Sequence, residues 1–199
     1  RGKVLNADDL DRLPEWGRYK DVDGDGIPYR TLPATHPTKG SYFTRGSSHD
    51  EKAAYSEDSP TYVRIMDRLV RKMETAKVII PKPQFYQQKQ QSEIGVVFFG
   101  TSTHAAQEAL DILKDHGVVL DAMRLKSFPF QQEVADFIEN HEKVFVIEQN
   151  RDAQMRSLLI NELEINPKKL IKILNYDGTP ITADLIIQNI NATVFQPSN

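Results

Sequence analysis

From residue 94 onward, apolar and polar positions change period in a regular way. "EIGVVFFG" is an unbroken apolar run closed by Gly100, the pattern of a strand buried on both faces. "TSTHAAQEALDILKDHG" follows with helical spacing, Ala106, Leu110 and Leu113 on one face, Thr and Ser at its start and Gly117 at its end. The alternation continues through a strand in "VVLDAMRLKSF", a helix in "PFQQEVADFIENH" with Pro129 near its first turn, and a strand in "KVFVIEQN". A helix in "DAQMRSLLINEL", a strand in "KLIKILNY" and a terminal helix in "TADLIIQNINATVF", after the Asp177-Gly178 turn, complete it. Repeated strand–helix units predict an α/β fold, an open and mostly parallel sheet with helices on both faces.

The first half has a different pattern. A run between Asp21 and Ser59, rich in Gly, Pro, Ser, Thr and His, shows no period. A segment of that length without secondary structure is unusual inside a compact domain and points to function or to packing against a partner. It ends in "SPTYVRIMDRLVRKMETAK", which predicts a helix with Tyr62, Ile65, Met66, Leu69 and Met73 as its apolar stripe. "VIIPKPQFYQQKQQSE" then reads as a linker, two prolines and a glutamine-rich stretch, over 81–93. The expected organisation is an arm and helix over 1–80, the linker, and an α/β domain over 94–199.

Composition narrows the functional classes. The 199 residues include 25 basic and 28 acidic side chains, net charge -3, with no basic stripe of the kind that tracks a phosphate backbone, so nucleic acid is not an expected partner. The absence of cysteine removes disulfides, thiolate zinc sites, iron–sulfur ligation and a cysteine nucleophile together. No apolar run approaches the roughly 20 residues that span a bilayer, so no membrane partner is expected and a cytoplasmic location is. The chain opens on Arg1 in "RGKVLNADDL", which reads as the middle of a longer protein.

Candidate chemistry begins at "KDVDGDGIPYRTL". Asp21, Asp23 and Asp25 are spaced like the start of a calcium loop, but the twelfth position, where a bidentate Glu belongs, is Leu32. Gly24-Asp25-Gly26 also opens a diphosphate-binding signature, yet no asparagine ligand follows at the required distance and no buried strand precedes it. A tight turn is the expectation, with an irregular metal site on the three aspartates as the alternative. The following segment places Arg30, Thr31, His36, Lys39, Arg45 and His49 among glycines and hydroxyl residues, suited either to a carboxylate or phosphate or to a connector that bonds its own backbone. Glu148, Gln149, Asn150 and Arg151 follow a buried strand at the edge where open parallel sheets present functional groups. Arg151 is expected to reach outward, while Asn150 or Asp152 caps the next helix. Thr101, Ser102 and Thr103 offer a weaker anion nest or a simple cap. His104, His116 and His141 are too scattered for a metal. Trp16 and Phe43 read as packing anchors.

Several of these segments carry a resemblance. "DVDGDGIPYRTLPATHPTKGSYFTRGSSHDE", "MDRLVRKMETAK", "VFVIEQNRDAQMRSLLINE" and "YDGTPIT" together, in order, resemble the alpha subunit of bacterial 2-oxoacid:ferredoxin oxidoreductases of the 2-oxoglutarate synthase type. The resemblance implies that residues 94–199 are a transketolase carboxy-terminal-like domain and that 1–80 are the tail of a pyrimidine-binding domain with its arm. It implies a holoenzyme that decarboxylates a 2-oxoacid on thiamine diphosphate and Mg, passes electrons through an iron–sulfur cluster to ferredoxin, and makes acyl-CoA from coenzyme A. Diphosphate motif and cluster cysteines then belong to a partner beta subunit, and the substrate loop lies upstream of Arg1. By itself the chain is expected to hold no cofactor, no metal and no catalytic residue, and to order its arm against a neighbour. The competing class is a free-standing small-ligand or regulatory α/β module, for which the long polar arm has no use.

Overall fold

The computed structural model describes residues 2–86 and 92–194, in two compact units, 1–79 and 80–199. The middle of the expected linker, the chain's first residue and the end of the terminal helix lie outside the described residues.

The second unit is a five-stranded sheet: β1 (Gln84–Tyr86), β2 (Ile94–Phe99), β3 (Asp121–Leu125), β4 (Lys143–Glu148) and β5 (Leu170–Leu174), in the order β1-β3-β2-β4-β5. The pairs β2–β3, β2–β4 and β4–β5 are parallel, and β1 is an antiparallel edge on β3. The four parallel strands stand where the apolar runs placed them. Strand β1 does not: Gln84-Phe85-Tyr86 falls inside the segment read as linker, too short beside its prolines to show a period.

Helices α3 (Thr103–Asp115) and α6 (Ala183–Val194) cover one face, α4 (Gln132–Glu139) and α5 (Gln154–Leu163) the other. Ala106, Ala109, Leu113, Ile186 and Ile190 pack on Val96, Phe98, Phe145 and Ile147. Val134, Phe137, Ile138 and Leu159 pack on Val97, Met123, Val144 and Val146. Alternate residues of β2 and β4 feed opposite layers, which is why both strands are apolar without interruption. Pro129 is not in the first turn of α4, which begins at Gln132; it follows a cis Phe128–Pro129 peptide before the helix.

The first unit carries α1 (Ala7–Arg12) and the 21-residue α2 (Ser59–Ile79). A reciprocal capping box starts α1: Asn6 accepts from the Asp9 N–H, and Asp9 accepts from the Asn6 N–H. Helix α2 stands where its spacing predicts, but its inward face does not. The buried positions are Thr61, Ile65 and Arg68, and Tyr62, Leu69 and Met73 of the expected stripe are exposed. Polar bonds fix the helix instead: Arg68 donates to the Gly26 carbonyl at 3.0 Å, Thr75 to the Asp25 carbonyl at 2.6 Å, and Arg71 to the Asp21 carboxylate at 2.8 Å.

The arm also departs from expectation. It is folded onto its own unit, through hydrogen bonds rather than apolar burial. Val4 and Arg30 form a parallel bridge, the Leu5 N–H donating to the Arg30 carbonyl at 2.9 Å and the Arg30 N–H to the Lys3 carbonyl at 2.8 Å. The Thr31 hydroxyl donates to the Gly40 carbonyl at 2.5 Å, and Lys39 Nζ to the Leu10 carbonyl at 3.0 Å. A count of apolar side chains underrates such a segment because the stabilising groups are backbone amides and hydroxyls.

Candidate functional site

In the second unit the chain leaves β2 through α3 toward one edge of the sheet and leaves β4 through α5 toward the other, on the opposite face. The reversal between neighbouring strands is the topological switch point, where open α/β sheets hold ligands beyond the strands' carboxyl ends. A cleft of about 560 Å³ lies there, lined by Phe99, Gly100, Thr101, Ser102, Gln149, Asn150, Gln154, Met155 and Leu158. The sequence singles out four of these positions, Thr101, Ser102, Gln149 and Asn150, as candidate chemistry.

Bonds within the cleft show what its polar groups do. Glu148, at the end of β4, is wholly buried and its carboxylate turns into the start of α5. It accepts from the N–H groups of Met155 and Arg156, both at 2.8 Å, and from Asn150 Nδ2 at 2.7 Å. Asn150 Oδ1 accepts from the N–H groups of Asp152 and Gln154. Two side chains thus satisfy the helix donors that a phosphate would otherwise meet. This corrects the outward reading of Glu148: the protein's own carboxylate takes the place of an anion. The N-cap position of α5 is Ala153, and Asn150 holds the turn that leads into it. Arg151 is exposed at the rim, donating to neighbouring Asp152.

Gln149 is the residue whose function sequence reasoning missed. Its Nε2 donates to the hydroxyls of Thr101 and Ser102 at 2.8 and 3.3 Å, and its Oε1 accepts from the Ile181 N–H at 3.2 Å. It staples the segments after β2, β4 and β5 together. Its place after a buried strand was visible, but its partners lie more than thirty residues away. Thr103 donates its hydroxyl to the Gly100 carbonyl at 2.7 Å, a local helix start.

The first unit brings the aspartate turn and the arm around different partners. Lys3 Nζ lies 2.5 Å from Asp23 and 2.7 Å from Asp25, and Asp21 accepts from the Gly26 N–H and from Arg71. The Asp25 carboxyl is held below its usual range by the Lys3 ammonium and by the Ile27 N–H, and Lys3 is raised by the two aspartates. The irregular metal reading is corrected by this geometry, because a lysine and an arginine already supply the positive charge. Among the described residues no group of three or more acidic or histidine side chains is placed to hold a metal. Nor does Gly24-Asp25-Gly26 fit a metal-bound diphosphate. A Cβ on Gly26 would lie 2.3 Å from the Lys72 nitrogen, so the turn presses on α2 rather than opening to a ligand.

Along the arm, His36 is held by Asp11 at 3.0 Å and accepts at Nδ1 from the N–H groups of Thr38 and Lys39. His49 stacks on Tyr19 with centroids 3.9 Å apart. Thr31, His36, Lys39 and His49 therefore work within their own unit, whereas the side chains of Arg30 and Arg45 are exposed. Trp16 packs against Tyr42, but Phe43 is no anchor, being 81% exposed.

Sequence comparison then supplies the family context. The chain is similar to the alpha subunits of 2-oxoacid:ferredoxin oxidoreductases. It is 28% identical over 185 residues to the alpha subunit of 2-oxoacid:ferredoxin oxidoreductase 2 of Aeropyrum pernix, covering 91% of this chain and 27% of that one. It is 24% identical over 200 residues to the alpha subunit from Saccharolobus solfataricus, covering 98% and 30%. The chain thus spans under a third of the curated relatives it matches. Its fold matches a solved structure of 2-oxoglutarate:ferredoxin oxidoreductase from Magnetococcus marinus, with 2-oxoglutarate, coenzyme A and succinyl-CoA bound there, at a TM-score of 0.78 and 19% identity over 96% of this chain and 32% of that one. No protein-family model matches. No helix among the described residues is long and apolar enough to cross a membrane.

Proposed function

We propose that this chain is a carboxy-terminal portion of the alpha subunit of a thiamine diphosphate-dependent 2-oxoacid:ferredoxin oxidoreductase, with 2-oxoglutarate as the oxoacid. Its part in that enzyme is to build subunit interface, not the catalytic centre. The reaction is oxidative decarboxylation: the oxoacid loses CO₂, its acyl group passes to coenzyme A, and the electrons released pass through an iron–sulfur cluster to ferredoxin. The reading is carried by sequence similarity running over nine-tenths of the chain. Likeness in fold to the Magnetococcus enzyme supports the choice of 2-oxoglutarate.

The division of labour rests on how the polar groups are spent. Glu148, Asn150 and Gln149 complete the fold at the switch point, and Asp21, Asp23 and Asp25 are neutralised by Lys3 and Arg71. The chain offers no cysteine for a cluster and no fitting turn for a diphosphate. We assign both groups to a beta subunit.

The test is co-expression of the complete gene with a neighbouring gene for a thiamine diphosphate-binding subunit. The purified pair is expected to reduce ferredoxin only when 2-oxoglutarate and coenzyme A are both present. A complete protein that purifies alone and turns over without a second subunit overturns the division of labour. A pair that prefers pyruvate to 2-oxoglutarate overturns the substrate.

A further inference from the structure

No charged residue lines the switch-point cleft. Phe99, Met155 and Leu158 make one apolar side, and the rest of the lining is amide, hydroxyl and glycine backbone. Its volume of about 560 Å³ falls in the range of roughly 300–1,000 Å³ that holds small organic ligands, whose sites are mostly apolar with a few polar groups to fix orientation. The charges nearest the cleft are already committed. Glu148 adjoins it through two lining residues, the Asn150 side chain and the Met155 N–H, which both donate to its carboxylate. At the rim Arg151 forks onto Asp152 at 2.8 and 3.3 Å. Arg156 donates to the Leu170 and Pro167 carbonyls, both at 2.7 Å. An anion entering the cleft would therefore meet a buried carboxylate and no cation in the lining, and the first donors of α5 are taken. A cation would leave water for a lining without a carboxylate. Either charge is desolvated without a partner, so the cleft favours an uncharged ligand.

The polar lining divides into groups that are engaged and groups that are not. Gln149 holds Thr101, Ser102 and the Ile181 N–H, and Asn150 holds Glu148 and the turn before α5. Gln154 differs. Its backbone N–H donates to Asn150, but its exposed side-chain amide makes no hydrogen bond among the described residues. A carboxamide with both its carbonyl and its NH₂ unengaged is matched by another amide edge, which takes two hydrogen bonds in opposite directions. The Thr101 hydroxyl accepts from Gln149 and keeps its own hydrogen to donate.

We propose that this cleft binds an uncharged, planar heteroaromatic molecule with a carboxamide or lactam edge, its ring against Phe99, Met155 and Leu158 and its amide edge on Gln154. The apolar side takes the ring, Gln154 reads the edge, and Glu148 rejects the corresponding acid. Such a ligand is an effector of the domain, and the site stands on the second unit alone, whatever larger enzyme the chain joins.

The test uses nicotinamide and nicotinate, probes of nearly the same shape that differ in charge. Each is titrated into the ¹⁵N-labelled 199-residue chain and followed by NMR through the Gln154 side-chain NH₂ and the Thr101 and Met155 backbone amides. Nicotinamide is expected to shift these resonances with a millimolar Kd, and nicotinate to bind about tenfold more weakly or less. Gln154→Ala should weaken nicotinamide several-fold, and Gln154→Lys, which puts a cation in the lining, should turn the preference toward nicotinate. Residue 154 is exposed, so both variants should keep the resonances of the sheet unchanged. Equal or tighter binding of nicotinate, shifts confined to other residues, no binding of either probe, or a nicotinamide Kd unchanged by Gln154→Ala overturns the proposal. Because the readout is binding, a complete protein that fails to reduce ferredoxin removes the oxidoreductase reading and leaves this site standing. An active oxidoreductase whose cleft ignores nicotinamide does the reverse.

Discussion

Gly24 and Gly26 stand in the same turn with φ +76 and +79, and they separate two costs that are usually mixed. A Cβ on Gly24 meets nothing within 4 Å, so Gly24→Ala should cost only the left-handed backbone, about 1 kcal/mol. On Gly26 the same atom would overlap the Lys72 nitrogen and the Arg68 carbonyl of α2, and Gly26→Ala should cost well over about 2 kcal/mol. Equal loss of stability on denaturant unfolding would mean that the turn does not seat the helix. Glu148 sets a second residue-scale expectation. Glu148→Ala strips three N–H donors of their acceptor and should destabilise the second unit by about 3 kcal/mol, combining a lost cap with unsatisfied buried donors. A loss under about 1 kcal/mol would show that water replaces the carboxylate easily. The Lys3 cluster gives a pH dependence. Asp25 is depressed below its unfolded value near 3.9, so its contribution is present above that pH and is lost as pH falls through the folded value. Thermal unfolding of the chain between about pH 5 and 2 should therefore show a fall that Lys3→Met makes shallower. An identical profile for Lys3→Met would place the acid sensitivity elsewhere.

At the scale of elements, what the sequence made legible follows the range of the forces involved. Strands β2 to β5 and helices α3 to α6 were readable because burial on a fixed period leaves its mark on every second or fourth letter. Strand β1 was not, since three residues at a sheet edge carry too little burial to make a pattern. In α2 the apolar letters fell at helical spacing, yet the helix is seated by Arg68, Arg71 and Thr75 bonding to a turn more than forty residues away. The same holds for the candidate site. The switch point was foreseeable from strand–helix alternation, whereas the use of Glu148 as an internal anion depends on the register of α5. The arm is the clearest case, because its order comes from Thr31, His36, Lys39 and the Val4–Arg30 bridge, none of which is apolar burial on a period. Amide exchange can check this. Backbone N–H groups of Arg30, Thr38 and Lys39 should be protected in the isolated chain relative to those of Phe43 and Thr44. Uniformly fast exchange from residue 29 to 51 would mean that the arm orders only against a neighbour.

For the whole molecule, the central claim is a division between scaffold and chemistry. In the doubly wound sheet of the second unit, Glu148 and Asn150 satisfy the start of α5 and Gln149 joins the segments around the switch-point cleft, and the first unit spends its acidic turn on Lys3, Arg71 and α2. Among the described residues, Phe43, Arg30 and Arg45 of the first unit are exposed, as is the outward apolar side of α2. This arrangement supports the proposal that the chain contributes surfaces to a larger enzyme. The most direct measurement determines, in the assembled oxidoreductase, turnover per complex and the strength of subunit association separately for Arg30→Ala, Arg45→Ala and Arg151→Ala. The account predicts that ferredoxin reduction per assembled complex stays within about twofold of the unsubstituted enzyme for all three, while Arg45→Ala weakens association by roughly tenfold, the equivalent of about 1.4 kcal/mol. Turnover per complex that falls by orders of magnitude with association intact would place the substituted arginine at the reacting centre and contradict the account.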